Sequence, residues 1–185
     1  MTPGFNTRKS AQIAAFFARE AGGTIAVLKL VKLIYLADRE NLELYDFPIT
    51  GDTLVSMTHG PANSDTLDCI NGKAAEHGDW EEFVADRDGH DVRVARPVTD
   101  EDLDELSRAE LGTLASTWRR FGKMTKYEIR NWTHENLPEW QDPNGSSVPI
   151  PYSKIFALFG RSDPVDLERA LHSERSLRAS FAAAY

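Results

Sequence analysis

The chain has 185 residues, of which 41% are hydrophobic, and a formal net charge of −8. A chain of this length buries about 70% of its unfolded surface, so it can fold as one domain without disulfides or metals. Cys69 is the only cysteine, which excludes an internal disulfide and favours a reducing compartment. The sequence has no apolar run of membrane-spanning length, and residues 1–10 lack the apolar core of a secretory signal. We therefore expect a cytoplasmic protein without a membrane partner, and the acidic charge disfavours nucleic acid.

Two helices are predicted in the first part of the chain, over residues 10–21 and 27–45. The second helix (VLKLVKLIYLADRENLELY) is apolar on almost every side of its first turns, which predicts a central helix that is largely enclosed. Lys29 and Lys32 interrupt this surface, and they either extend their stems to solvent or mark a groove on the helix. From Asp38 onward the helix is charged, so we expect it to emerge into water there.

After this helix the pattern changes to a strand and back to a helix. Pro48 lacks a backbone N–H, which excludes a continued helix. Residues 54–58 (LVSMT) favour a strand because they are short, partly β-branched and bounded by turn residues. Residues 63–77 return to helical spacing, and Gly78 is expected to close that helix.

Residues 80–96 (WEEFVADRDGHDVRVAR) predict a β-hairpin. Asp88-Gly89 is typical of a two-residue type I′ turn. Because an isolated hairpin is only marginally stable, we expect residues 54–58 to add a third strand. The predicted register places Phe83 opposite Val94, Ala85 opposite Val92, and Glu81 opposite Arg96.

The second half of the chain predicts helices. Thr99 and Asp102 form an N-terminal capping pattern, which predicts a helix from there to Phe121, with Gly122 just past its end. Thr125 opens a second helix in the same way, to about residue 134. A turn-rich connector follows over residues 137–145, and two further helices are predicted over residues 151–159 and 164–181.

These elements predict a mainly α (α+β) fold. A helical domain surrounds the buried central helix, and a small antiparallel hairpin or three-stranded sheet is inserted after the third helix. No change of composition and no flexible linker divides the chain, so we expect residues 1–185 to form one domain.

No catalytic or metal-binding pattern stands out. The sequence has no nucleophile elbow, phosphate-binding loop or dinucleotide fingerprint, so we expect no cofactor. Cys69 lies at helical spacing among apolar residues, which favours a small buried side chain over a nucleophile. The histidines do not have the spacing of a metal site: His59, His77, His90, His134 and His172.

A basic segment over residues 119–130 (RRFGKMTKYEIR) stands out in this acidic chain. One interpretation is a docking face for an acidic partner or a phosphate backbone. The other is that the first two arginines complement a helix dipole and that the lysines flank a solvated turn. The candidate partner-binding residues are Arg119, Arg120, Lys123, Lys126, Tyr127 and Arg130.

The order of several short segments resembles the Panacea domain of SocA-like antitoxins. The segments are KLVKLIYLADRE at residues 29–40, PITGD at 48–52, MTHGP at 57–61, THE at 133–135 and PEW at 138–140. The resemblance extends over roughly residues 25–141. It departs from the family pattern at Ala62-Asn63-Ser64 and at Glu139, which separates Pro138 from Trp140.

The resemblance implies an antitoxin of a bacterial or prophage system that binds its cognate toxin directly and is not an enzyme. It also implies one alternative, an adaptor that delivers the toxin to a AAA+ protease. On this basis we expect His59, Gly60 and Pro61 to join a strand to a helix, with a hydrogen bond from His59 fixing the corner. Pro138 and Trp140 are expected to fold the connector onto the core.

Other functions remain open from the sequence. An enzyme or regulator would have its site near Asp38, His59 and His134, and an autoregulator would bind DNA through its basic residues. A homo-oligomer is also compatible with the sequence. Residues 182–185 (AAAY) are typical of a frayed helix end or, alternatively, of a tail that a protease recognises.

Overall fold

The computed structural model describes residue 2, residues 4–73 and residues 78–182. Its helices are α1 (Thr7–Glu20), α2 (Val27–Tyr45), α3 (Ser64–Ile70), α4 (Gly78–Glu81), α5 (Arg108–Phe121), α6 (Lys126–Asn136), α7 (Tyr152–Leu158) and α8 (Pro164–Ala182). Its strands are β1 (Thr24–Ala26), β2 (Leu54–Met57), β3 (Gly60–Asn63), β4 (Asp91–Arg93) and β5 (Val148–Pro149). The strands form two small antiparallel sheets, β1-β4 and β3-β2-β5, so the predicted mainly α class is confirmed.

Helix α2 is the centre of the fold, as its sequence predicts. It contacts α1, α5, α6, α7, β1 and β3. Leu30, Leu33 and Tyr35 are completely buried, because the apolar residues of this helix cover nearly its whole circumference.

The expectation that α2 emerges into water at Asp38 is wrong. The Asp38 side chain is completely buried. It accepts hydrogen bonds from the backbone N–H groups of Ile49 and Thr50, at 2.8 and 2.9 Å, from the Thr50 hydroxyl and from the Asn63 amide. Burial raises the pKa of Asp38, and these donors favour the ionised form. The carboxylate thus ties α2 to the following loop and to β3.

The predicted hairpin over residues 80–96 is wrong in most of its detail. Its first residues belong to α4, and β4 pairs with β1. Phe83 and Val84 are both buried, which a strand with one buried face does not allow. The chain still reverses, but its turn is shifted by one residue. Asp88 and Asp91 exchange backbone hydrogen bonds around the turn, Val84 forms a bridge with Val94, and Arg96 pairs with Glu82.

Strand β2 is confirmed near its predicted position, but its partners are not the hairpin. It pairs with β3 on one side and β5 on the other. Gly60 and Pro61 begin β3, so the expectation that they lead into a helix is wrong. Gly60 has φ +95°, a left-handed conformation that lets the chain reverse directly after β2.

Several helix ends differ from their predicted positions. Helix α1 begins earlier, at Thr7, and α3 ends at Ile70. Residues 74–77 lie outside the described residues, and Gly78 begins α4 instead of ending a helix. Asp102 accepts hydrogen bonds from Thr99, but only a turn forms there, and α5 begins after Ser107.

The remaining helices agree well with the sequence pattern. Thr125 and Glu128 form the predicted capping box of α6, and α7 and α8 lie where the spacing indicates. Most of the apolar C-terminal tail, residues 183–185, lies outside the described residues. Across residues 4–73 and 78–182, no helix combines the length and apolar character that crossing a membrane requires.

Candidate functional site: a basic cleft at the start of the central helix

A cleft of about 740 Å³ opens where the first turns of α2 meet the turn between β2 and β3 and the start of α6. We call it the basic cleft. Its floor is aliphatic, because Leu28 and Val31 of α2 lie beside Met57 and Leu67. Apolar side chains on one side of a buried helix leave such a surface wherever no other element covers them.

The rim of the basic cleft is positively charged. Arg87, Lys126 and Arg130 line it, together with His59 and His90, and none of its described lining residues is acidic. In a chain with a formal net charge of −8, this is a local reversal of sign.

The rim cations lack the carboxylate partners that six other arginines of the chain have. Within the described part of the chain, Arg87, Lys126 and Arg130 form no ion pair, whereas ion pairs neutralise many other arginines. The paired arginines are Arg8, Arg19, Arg39, Arg96, Arg161 and Arg169. The charge of the rim is therefore available to a ligand.

Tyr127 adds an aromatic surface to the rim. Its side chain is 56% exposed, and the Lys126 Nζ and the Arg130 Cζ lie 5.3 and 5.6 Å from its ring centroid. Exposed tyrosine and arginine are the residue types that contribute most at protein interfaces.

Lys32 lies at the inner wall of the basic cleft, so of the two alternatives for this residue the groove agrees with the structure and extension to solvent is wrong. It is 2% exposed, and its Nζ donates to the Pro61 carbonyl at 2.6 Å. That carbonyl belongs to β3, which is an edge strand among the described residues, so the amine satisfies a buried acceptor on the unpaired side of the sheet. Burial lowers the pKa of Lys32 to about 7. Lys29 is only partly buried, and its Nζ donates to the carbonyl of Gly122 after α5.

His134 and Trp140 form the structure behind the β2–β3 turn. Their rings stack with centroids 4.0 Å apart, and the Trp140 Nε1 donates to the Met57 carbonyl at 2.9 Å. Burial lowers the pKa of His134, and the charges of Lys32 and Arg130 lower it further. The neutral imidazole is thus favoured.

The side chain of His59 does not fix the corner as expected. It is exposed at the cleft rim and has no hydrogen-bond partner among the described residues. The corner is instead held by Gly60, where a Cβ would lie 2.9 Å from the Thr133 Oγ1 and 3.1 Å from the Lys32 Cε. Only glycine fits between α2 and α6 at this position.

The connector is anchored by a residue that sequence reasoning missed. Trp140 packs as expected, but Pro138 is exposed, and Glu139 between them has a completely buried side chain. The Glu139 Oε1 accepts from the Arg39 Nε at 2.7 Å and from the Tyr35 hydroxyl at 3.1 Å. Tyr35 and Arg39 are four residues apart on α2, which was the available signal for a shared acceptor on that face.

The basic segment predicted as a partner site is divided by the structure. Lys126, Tyr127 and Arg130 line the basic cleft, and Arg119, Arg120 and Lys123 do not. Arg119 and Arg120 occupy the last turn of α5, where they complement the helix dipole. The Arg120 Cζ also lies 4.8 and 5.3 Å from the ring centroids of Phe121 and Trp132.

The basic cleft and its surroundings contain few of the groups that catalysis requires. Asp38 is not part of the basic cleft and is surrounded by donors, so it does not pair with His59 or His134. Burial raises the pKa of the Cys69 thiol to about 12, which makes it a poor nucleophile. Among the residues that the structure describes, no group of three or more His, Cys, Asp or Glu side chains is placed to hold a metal.

Comparison with known proteins identifies the family. The model of the antitoxin SocA-like Panacea domain matches residues 30–141, more than half of the chain. The matched range includes Lys32, the β2–β3 turn and the start of α6, and thus most of the basic cleft. No curated protein and no solved structure matches the chain. The chain belongs to the SocA-like antitoxin family, whose Panacea domain it carries over residues 30–141.

Proposed function

We propose that this protein is the antitoxin of a bacterial or prophage toxin–antitoxin pair, and that it neutralises its toxin by direct, non-catalytic binding. The match of the antitoxin family model over residues 30–141 carries the proposal. The basic cleft supports it, because an aliphatic floor inside a ring of cations without ion pairs suits a protein partner.

The geometry around the histidines also favours binding over catalysis. A general base must lie within hydrogen-bonding distance of the proton that it removes and needs a third group to orient it. The Nε2 of His134 is buried without a partner among the described residues, while the ring stacks on Trp140 and has a hydrogen bond to the backbone of His59. The ring is therefore held as a structural part of the turn.

Growth rescue tests the proposed function. We take the product of the gene that neighbours the one for this chain as the candidate toxin, and we expect co-expression of this chain to restore growth. If the wild-type chain gives no protection while it is expressed and folded, the proposed function is wrong.

The stoichiometry of inhibition separates binding from catalysis. Purified antitoxin is titrated into a fixed amount of toxin, and we expect activity to disappear near equimolar amounts. Neutralisation by a small fraction of an equivalent would contradict direct binding and support an enzyme.

The level of toxin in rescued cells separates occlusion from delivery to a protease. Simple occlusion leaves the toxin abundant and bound, so the two proteins copurify. A short toxin half-life that depends on a AAA+ protease would show that the antitoxin acts as an adaptor.

A further inference from the structure

We infer that the basic cleft receives an acidic amphipathic segment of the partner protein, with apolar side chains on the cleft floor and carboxylates at the rim. This inference rests on the proposed function, since it names the chemistry of the toxin segment that the cleft would recognise.

The floor determines the apolar half of the ligand. Leu28, Val31, Met57 and Leu67 present flexible or aliphatic side chains over a volume of about 740 Å³. Methionine adapts to differently shaped apolar partners, which suits a surface that must accept branched side chains. A uniformly polar ligand would leave this floor without contacts.

The rim determines the charge of the ligand. Arg87, Lys126 and Arg130 face the basic cleft without an ion pair among the described residues, and His59 and His90 add donors. The Nε and Nη2 of Arg130 donate to the Asn131 Oδ1. Because this acceptor is neutral, the positive charge of Arg130 is not compensated. Carboxylates are the groups in a protein partner that arginine and lysine at this rim would bind.

A protein segment fits these features better than a nucleic acid does. Single-stranded nucleic acid needs aromatic platforms for its bases, and here the floor is aliphatic while Tyr127 stands at the rim. The charge of −8 on the chain also repels a polyanion that extends beyond the cleft. A short acidic segment brings only a few negative charges, and the cations of the rim can pair with these.

The chain offers a matched control for charge reversal. Lys126→Glu with Arg130→Glu changes two rim cations, and Arg119→Glu with Arg120→Glu makes the same change of net charge on α5, outside the basic cleft. Lys126 and Arg130 are partly exposed, and Arg119 and Arg120 are exposed, so we expect both double variants to fold. Circular dichroism checks this. Tyr127→Ala removes the aromatic contact of the rim at a residue that is mostly exposed.

Peptide binding tests the inference without the toxin. The probe is a fluorescein-labelled amphipathic peptide of leucine, alanine and glutamate, and the comparison probes are the same peptide with lysine for glutamate and a labelled single-stranded oligouridine. We expect the glutamate peptide to bind best by fluorescence anisotropy. The rim double variant should weaken this binding about tenfold or more, Tyr127→Ala should weaken it by several fold, and the α5 double variant should change it by less than about threefold.

Three results would overturn the inference: absence of binding by the glutamate peptide, equal or better binding of the lysine peptide or oligouridine, or equal losses in the two double variants.

Growth rescue by the same variants separates this inference from the proposed function. If the wild-type chain rescues growth and the rim variant rescues equally well, the antitoxin function stands and the cleft is not its docking site. If the wild-type chain does not rescue, the antitoxin function itself is wrong.

Discussion

Lys32 combines two roles that are usually separate, since it is a buried polar group and part of the wall of a cleft. Its amine satisfies the Pro61 carbonyl on the edge strand β3. A buried ammonium is unfavourable, so the folded chain holds this amine with a pKa of about 7, below its ordinary value of 10.5. Folding and protonation at Lys32 are therefore linked.

Replacing Lys32 with methionine is predicted to remove a pH dependence of stability. Between about pH 7 and 10.5 the unfolded chain binds a proton at Lys32 that the folded chain does not bind, so the stability contributed by this group rises with pH. The free energy of unfolding of the wild type, minus that of Lys32→Met, should increase across this range by up to about 1.4 kcal/mol per pH unit. Urea unfolding at a series of pH values measures it.

The difference between the two proteins isolates Lys32 from other titrating groups. Cys69 and the buried tyrosines titrate at high pH in both proteins, and they cancel. His134, which senses the charge of Lys32, titrates below this range because its pKa is lowered. A difference that is flat from pH 7 to 10 would contradict a depressed pKa at Lys32.

Gly60→Ala is predicted to destabilise the fold by about 2–4 kcal/mol. The added Cβ meets Thr133 and Lys32, and the backbone is held at φ +95°, so strain and overpacking add. Gly89→Ala is the control, because its φ is also positive but nothing lies within 4 Å of the new Cβ. We expect it to lose only about 1–2 kcal/mol in urea unfolding. Equal losses would mean that the space around Gly60 does not matter.

At the scale of elements, Gly112 within α5 and Gly122 directly after its end have opposite expected effects. Gly112 lies on the exposed side with open space, so Gly112→Ala should stabilise the protein by about 0.5–1 kcal/mol through helix propensity. At Gly122 the Cβ would lie 2.5 Å from the Trp118 carbonyl oxygen, and Gly122→Ala should destabilise it by about 1–3 kcal/mol. Thermal unfolding measures both. A gain at Gly122 would contradict the close packing at this helix end.

The helices were predictable because their signals are local. The apolar run of α2 and the capping box of α6 each lie within one segment, and the structure has both as predicted. The hairpin failed because Val92 pairs with Ile25, a residue that the local pattern does not indicate as a partner. Likewise, Thr99 and Asp102 make the contacts of a helix start, but no helix continues from them.

At the scale of the whole molecule, the basic cleft illustrates what one segment alone does not indicate. Its rim brings Arg87 together with Lys126 and Arg130 of α6, which lie about 40 residues further along the chain. The sequence indicated the whole basic segment over residues 119–130 as a candidate docking face, and half of its candidate residues line the cleft. It also offered a groove at Lys29 and Lys32 as one alternative, but the apolar floor residues of α2 looked like ordinary core. The burial of Lys32 could not be predicted either. Its Nζ donates to the Pro61 carbonyl, and Pro61 lies on β3, a strand that the sequence pattern did not predict.

Helix α8 is expected to belong to the same folding unit as the other described helices. The buried apolar cluster extends from α1 to Leu171 of α8, which is 4% exposed. We therefore expect one unfolding transition, with the same urea midpoint by far-ultraviolet circular dichroism and by tryptophan fluorescence. Leu171→Ala should lower the stability by about 2–4 kcal/mol and shift both midpoints together, since it leaves a cavity at the junction of α8 with the core. Leu177→Ala, on the same helix but 59% exposed, should shift neither by more than about 0.5 kcal/mol. If Leu171→Ala moved the dichroism midpoint and left the fluorescence midpoint unchanged, α8 would unfold independently and the chain would not be a single cooperative domain.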